Sequence, residues 1–179
     1  MKGHQFTIIA TGLDAGADDF EDRLFAAGCD DATIAFQRGV IVAEFDRAAR
    51  TYIGALVSAV RDVRRAGATV LHVEPDCLVN LSDIAARTGM TRAAISNFAK
   101  GERGKGFPAP VARVTTDTPL WDWVEVADWL HRTRRLDGRS VVRARVNKGV
   151  NMAIASDGAA RGVKARKIRT ALRREAVAA

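Results

Sequence analysis

The stretch at 80–100, NLSDIAARTGMTRAAISNFAK, predicts two short helices joined by a tight turn. Ser82 is expected to cap the first helix, because its side-chain oxygen can accept a hydrogen bond from a free backbone N–H of the first turn. Gly89 can adopt the positive φ that ends a helix, and Thr91 can cap the next one. The second helix is therefore expected to begin at Arg92.

The second helix is predicted to have two unlike faces. Its inward stripe consists of Ala94, Ile95 and Phe98. The opposite face is small, polar and basic, and consists of Arg92, Ala93, Ser96, Asn97 and Lys100. Such a face suits the major groove of DNA, because arginine and asparagine can form paired hydrogen bonds to base edges and alanine or threonine can contact a thymine methyl group. An ordinary pair of amphipathic helices in a protein core would accept the same residues.

The segment after this helix predicts a wing, which is a short extended pair beside the helix pair. FPAP at 107–110 introduces the extended pair, and PLW at 119–121 returns the chain to a new helix. Arg103, Lys105 and Arg113 lie in this segment. They are expected to contact the DNA backbone or the minor groove, and so to add affinity more than sequence discrimination.

Three tryptophans, Trp121, Trp123 and Trp129, follow the wing. An aromatic cluster can stack on bases. Trp129 shares a helical stripe with Val126 and Leu130, however, and this pattern favours packing in a core. Asp122 is expected to cap the helix that carries this stripe.

These parts together resemble the MerR and phage-excisionase superfamily of winged helix-turn-helix domains over residues 78–130. The matching parts are the Asp83-Ile84-Ala85 helix, the Gly89 turn, the basic second helix, the FP entry to the wing and the tryptophan-rich return. SNFAKGERG at 96–104 is also similar to the end of this helix in phage-repressor-like regulators. Both resemblances imply sequence-specific binding to double-stranded DNA, and neither implies an operator. The residues expected to contact DNA are Thr91, Arg92, Ala93, Ser96, Asn97, Lys100, Arg103, Lys105 and Arg113.

Residues 1–76 predict a separate domain in which strands and helices alternate. Strands are expected at 6–10, 33–37, 40–45 and 69–73, and helices at 17–27 and 48–66. Arg38-Gly39 predicts a tight hairpin with glycine at positive φ. The order βαββαβ is typical of the ferredoxin-like split fold, in which two helices cover one face of a four-stranded antiparallel sheet.

Apolar residues predict which sides of these elements are buried. The residues expected to face inward from the two helices are Phe20, Leu24, Phe25, Ile53, Leu56, Val57, Val60 and Val63. The predicted strands carry apolar residues on both sides, and a homodimer is the simplest cover for the second side. GLDAG at 12–16 lacks the spacing of a phosphate-binding loop, so a small-molecule effector is not indicated.

The net charge of +7 is unevenly distributed. Lys and Arg number 8 against 12 Asp and Glu at 1–79, 7 against 6 at 80–132, and 13 against 3 at 133–179. Helices are predicted at 139–155 and 159–178, separated by Asp157-Gly158. The basic tail is expected to contact DNA phosphates, or else to form a solvated charged surface.

Catalysis, cofactors and membrane insertion are not indicated. His4, His72 and His131 are scattered, and Cys29 and Cys77 have neither disulfide-framework nor zinc-site spacing. No catalytic motif occurs, so we predict neither an enzyme nor a metal or cofactor site. The chain lacks a signal-peptide pattern and any run approaching the roughly 20 apolar residues of a membrane span. A reducing cytoplasm is therefore the expected location.

We predict an α+β protein with three parts. They are a ferredoxin-like domain at 1–76, a winged helix-turn-helix domain at 77–132 and a basic helical C-terminal extension at 133–179. The predicted function is a DNA-binding transcriptional regulator that acts as a homodimer. The alternative is a protein-interaction adaptor, such as an antitoxin-like or phage-defence partner, whose DNA binding is secondary or non-specific.

Overall fold

The computed structural model describes residues 1–161 of the chain. The described chain contains a four-stranded antiparallel sheet, a two-stranded sheet and six helices, so the predicted α+β class is confirmed. It divides into two compact units. Unit 1 comprises Met1–Val73 and the described chain from Gly149 onward, and unit 2 comprises Glu74–Lys148.

Unit 1 is built on the four-stranded sheet. Its elements in chain order are β1 (Lys2–Thr11), α1 (Phe20–Ala26), β2 (Ala32–Gln37), β3 (Val40–Ala49), α2 (Tyr52–Arg65) and β4 (Thr69–Glu74). The strand order across the sheet is β2-β3-β1-β4, which places β2 and β4 at the two edges.

The hairpin between β2 and β3 closes as predicted. Gln37 pairs with Val40, and the two residues between them, Arg38 and Gly39, have φ values of 51° and 83°. Positive φ at both central positions matches the right-handed twist of the paired strands. The register that follows places Phe36 opposite the buried Ile41.

The core of unit 1 lies between the sheet and α1 and α2. It includes Phe6, Ile8, Leu24, Ile41, Phe45, Leu56, Val60 and Val63. The prediction that Phe25, Ile53 and Val57 face inward is wrong, because they are 68%, 52% and 55% exposed. The spacing of apolar residues predicted the helical repeat but not the width of the buried stripe on each helix. These three residues lie at the margins of that stripe.

A buried ion cluster in this core was not anticipated from the sequence. Arg47 lies on the helix side of β3 and forms a two-pronged contact with Asp31, at 2.8 Å from Nε and 2.8 Å from Nη2. Its Nη1 also donates to Asp62 of α2 at 2.7 Å. The hydrogen bond with Asp31 is the main reason that the pKa of Arg47 lies above its ordinary value. The cluster therefore joins β3 to α2 by charge-assisted hydrogen bonds.

Unit 2 is mainly helical. Its elements are β5 (Leu78–Val79), α3 (Leu81–Thr88), α4 (Arg92–Ala99), β6 (Trp121–Asp122), α5 (Trp123–Arg132) and the first part of α6 (Gly138–Arg161). β5 and β6 pair antiparallel and form the small sheet. The buried hydrophobic residues form one cluster: Val79, Ile84, Ile95, Phe98, Trp121, Trp123, Val126, Ala127, Trp129, Leu130, Val141 and Ala144.

Helix α6 differs from the prediction. It continues through Asp157 and Gly158, so the predicted separation of two helices at this point is wrong. A single glycine in a helix costs only about 1 kcal/mol relative to alanine, and Asp157 is paired with Arg64 of α2 at 3.2 Å. The rest of the predicted last helix, with its basic residues, lies outside the described residues. Among the helices at 1–161, none combines the length and the apolar content that a membrane crossing requires.

Candidate nucleic-acid interface

The first helix of the quoted stretch is capped by Asn80. The Asn80 Oδ1 accepts hydrogen bonds from the backbone N–H of Ser82 at 2.8 Å and of Asp83 at 3.0 Å. The Asp83 carboxylate in turn accepts from the backbone N–H of Asn80 at 2.9 Å, which completes a reciprocal capping box. The prediction that Ser82 is the cap is therefore wrong, because Ser82 lies inside the first turn.

The turn and the second cap match the prediction. Gly89 has a φ of 69° and ends α3. The Thr91 Oγ1 accepts a hydrogen bond from the backbone N–H of Ala94 at 3.2 Å, and α4 begins at Arg92. The turn between α3 and α4 is thus fixed by the positive φ of Gly89 and by the Thr91 cap.

One side of α4 is held in the core of unit 2. Ile95 is fully buried and Phe98 is 1% exposed, and both pack in the same cluster as Ile84 of α3. Phe98 also contacts Trp129 of α5 edge to face, with ring centroids 5.1 Å apart. Burial on this side leaves the opposite side of α4 as the surface of the helix pair.

The predicted DNA-contacting residues on α4 lie on that surface. Thr91, Arg92, Ala93 and Lys100 are exposed, and Ser96 and Asn97 are half-buried. Arg103, Lys105 and Arg113, in the segment that follows, are also exposed. Within residues 1–161, the basic members of this set form no ion pair: Arg92, Lys100, Arg103, Lys105 and Arg113. Their positive charge is therefore available to an anionic ligand.

Asn97 is held by a residue that the sequence analysis did not select. When its amide nitrogen points toward Glu102, it lies 3.2 Å from the Glu102 Oε2 and 3.3 Å from the backbone oxygen of Ala93. The backbone N–H of Arg103 donates to the backbone oxygen of Asn97 at 3.2 Å. Glu102 thus places one negative charge beside an otherwise basic surface and orients the Asn97 amide.

The loop at 101–106 is fixed by α5. Trp129 donates its indole N–H to the backbone oxygen of Lys105 at 3.0 Å. A Cβ atom at Gly104 would lie 3.2 Å from the Trp129 ring, and Gly104 has a φ of 74°. The loop can approach the ring this closely only because glycine occupies that position.

A short hairpin at 112–120 follows the loop. Ala112 and Leu120 exchange backbone hydrogen bonds of 3.2 Å and 2.9 Å, and the backbone N–H of Thr116 donates to the oxygen of Arg113 at 3.1 Å. Arg113 has a φ of 50°, so the chain turns there. Residues 113–118 are exposed, and Arg113 projects from the base of the hairpin.

The tryptophans are buried in unit 2, and the prediction that they pack in a core is confirmed. Trp121, Trp123 and Trp129 are 4%, 7% and 3% exposed. The Trp121 indole N–H donates to the backbone oxygen of Pro108 at 3.1 Å, which fixes the FPAP segment. Asp122 caps α5, as predicted, by accepting from the backbone N–H of Val124 at 2.8 Å.

Two other arginines of unit 2, Arg87 and Arg135, are occupied by internal contacts. The guanidinium of Arg87 lies 5.2 Å from the centre of the Trp123 ring and donates to the backbone oxygen of Asp76. That of Arg135 lies 5.1 Å from the centre of Phe98. Burial lowers the pKa of Arg87. These two cations stabilise the core by cation–π contacts and contribute less than the exposed five to an interface.

Comparisons with protein-family models, with curated proteins and with solved structures find no match to this chain.

Proposed function

We propose that this protein is a sequence-specific, DNA-binding transcriptional regulator that acts in the cytoplasm as a homodimer. In this proposal, unit 2 is a winged helix-turn-helix domain of the MerR and phage-excisionase type, with α4 as the recognition helix and the hairpin at 112–120 as the wing. Unit 1 is a ferredoxin-like domain. The order βαββαβ and the strand order β2-β3-β1-β4 support that assignment.

One observation carries the proposal: the two sides of α4 lie in different environments. Ile95 and Phe98 are held in the core, whereas Arg92 and Lys100 are exposed and form no ion pair within the described chain. A helix that packs on the core through one side and exposes basic and small side chains on the other side suits insertion into a major groove.

The exposed residues divide into two roles. Arg92 and Asn97 have side chains that can form paired hydrogen bonds to guanine and adenine edges, so we assign them to base recognition. Arg103, Lys105 and Arg113 lie in the loop and hairpin, where they would neutralise phosphates and position the domain. A two-fold dimer of such domains would bind an inverted repeat, with its half-sites one or more helical turns apart.

A selection of genomic DNA fragments, followed by footprinting in the presence of random competitor DNA, tests this function. The regulator should retain a discrete footprint on the selected fragment. Arg92→Ala should weaken it, and the matched control Arg50→Ala, an exposed arginine of unit 1, should leave it unchanged. Binding that random competitor removes entirely would contradict the proposal and favour the protein-interaction adaptor.

A further inference from the structure

The two edges of the sheet in unit 1 are protected very differently. At the β4 edge, the backbone N–H of Val73 donates to the Asn151 Oδ1 at 2.7 Å, and the Asn151 Nδ2 donates to the oxygen of Val73 at 2.9 Å. A side-chain amide therefore takes the place of a neighbouring strand there. At the other edge, β2 pairs only with β3 among the strands at 1–161.

The sequence of β2 does nothing to prevent pairing. Its six residues, ATIAFQ, include no charge and no proline, the usual features that keep edge strands from joining other chains. Phe36 is 51% exposed on this strand, and Phe25 of the adjacent α1 is 68% exposed. Two exposed aromatic rings beside the outer edge of β2, which pairs with no second strand at 1–161, indicate a contact surface.

A groove lies next to this edge. It has a volume of about 270 Å³ and is lined by Glu21, Asp22, Leu24, Phe25, Cys29, Asp30, Ala32 and Ile34. Its lining combines apolar side chains, among them Leu24, Phe25 and Ile34, with the three carboxylates of Glu21, Asp22 and Asp30. The groove therefore fits an apolar side chain accompanied by a positive charge.

We propose that a second copy of this chain pairs its β2 strand with β2 across a two-fold axis, giving one continuous eight-stranded sheet. This proposal specifies the interface of the homodimer proposed above, and so it depends on that part of the proposed function but not on DNA binding. The occupant of the groove is Phe36 of the second copy, and the groove of the second copy receives Phe36 of the first.

The register follows from symmetry and from side-chain direction. Ile34 and Phe36 lie opposite the buried Ala43 and Ile41, so both face the helix side of the sheet. A two-fold axis normal to the sheet pairs helix-side residues with helix-side residues. With Ile34 on that axis, Ala32 lies opposite Phe36 of the second copy, which places that ring at the groove.

The same register brings opposite charges together. Asp30, which lines the groove, precedes β2, and Arg38 follows it in the hairpin turn. Antiparallel pairing places Asp30 of each copy beside Arg38 of the other, twice per dimer. Another candidate surface, the sheet face away from the helices, carries Glu44 and Asp46, and stacking it on its own copy would oppose like charges.

The test is the molar mass of the full chain, measured by light scattering after size exclusion at micromolar concentrations. The wild type should have a mass of twice 19.3 kDa. Phe36→Lys should be monomeric, and the matched control Ile53→Lys, which alters a side chain of unit 1 that is 52% exposed, should remain dimeric. Circular dichroism verifies that both variants are folded.

A charge exchange makes the test specific for the register. Asp30→Arg and Arg38→Asp should each weaken dimerisation by about tenfold or more, and the double variant should return to within about threefold of the wild type. A monomeric wild type, a dimer that Phe36→Lys leaves intact, or a double variant weaker than either single variant would overturn the proposal.

The outcome is separable from that of the proposed function. If the monomeric Phe36→Lys variant still protects a half-site from cleavage, recognition by α4 stands whatever the dimer interface is. If the wild type forms the dimer as described but protects no DNA, the β2 interface stands and the regulatory function fails.

Discussion

Trp129 donates its indole N–H to the backbone oxygen of Lys105 at 3.0 Å, and so fixes the loop between α4 and the hairpin. The two residues are 24 positions apart in the sequence. Through this bond, a buried ring of α5 positions two of the exposed cations, Arg103 and Lys105, beside the end of α4. The position of the basic surface therefore depends on packing in the core of unit 2 as well as on local turns.

Gly104→Ala should disrupt this arrangement. The added Cβ would lie 3.2 Å from the Trp129 ring at a φ of 74°, so we expect a loss of about 2 kcal/mol in the free energy of unfolding, and weaker DNA binding. Gly106→Ala is the matched control, since its φ is 73° but no atom lies within 4 Å of the added carbon. Urea denaturation measures both, and equal losses would show that the ring contact has no role.

Glu102→Ala should strengthen binding to all DNA sequences and reduce discrimination at one base pair. Removal of a negative charge from the basic surface favours every phosphate contact, and loss of the carboxylate frees the Asn97 amide, which lies 3.2 Å away. Asp117→Asn, an exposed carboxylate in the hairpin, serves as the control for charge alone. Competition binding with single-base variants of the selected site separates the two effects, and an unchanged discrimination pattern would refute the role of Glu102 in orienting Asn97.

Asn80→Ala should destabilise the protein by about 1 kcal/mol, because it removes the acceptor for two backbone N–H groups at the start of α3. Ser82→Ala should have almost no effect. Chemical denaturation of the two variants against the wild type provides the measurement. A larger loss for Ser82→Ala would restore the cap expected from sequence and contradict the capping box.

Stability should fall as the pH rises from about 9 to about 11, in part because of Cys29. Burial raises the pKa of this thiol from 9.0 to about 11, so between these values the unfolded chain loses a proton that the folded chain keeps. The stabilisation is complete below pH 9 and is lost as the pH passes the folded pKa. The shift corresponds to about 3 kcal/mol. Cys29→Ala should flatten this part of the pH profile in denaturation experiments, and an unchanged slope would exclude the thiol as its source.

Local signals in the sequence predicted the turns well. Arg38-Gly39, Gly89 and Thr91 act through their own backbone angle or a neighbouring N–H, so their effects are visible within a few residues. The same kind of signal failed at Gly158, because a helix tolerates one glycine when tertiary contacts such as Asp157–Arg64 hold it.

Contacts distant in sequence could not be predicted. The bond between Trp129 and Lys105, the pairing of Arg47 with Asp31 and Asp62, and the unequal edges of the sheet depend on packing that no local pattern encodes. Glu102 was missed for a different reason. It lies near Asn97 in sequence, but a carboxylate next to basic residues gives no signal of which amide it contacts.

The most direct test of recognition by α4 compares Arg92→Ala with Arg113→Ala on the selected DNA site and its single-base variants, across a series of salt concentrations. Arg92→Ala should cost about 1 to 3 kcal/mol at one base pair and relax the preference there. Arg113→Ala should weaken binding to all sequences alike and reduce the salt slope by about 1. If both variants lose affinity uniformly with no change in base preference, α4 does not recognise DNA sequence.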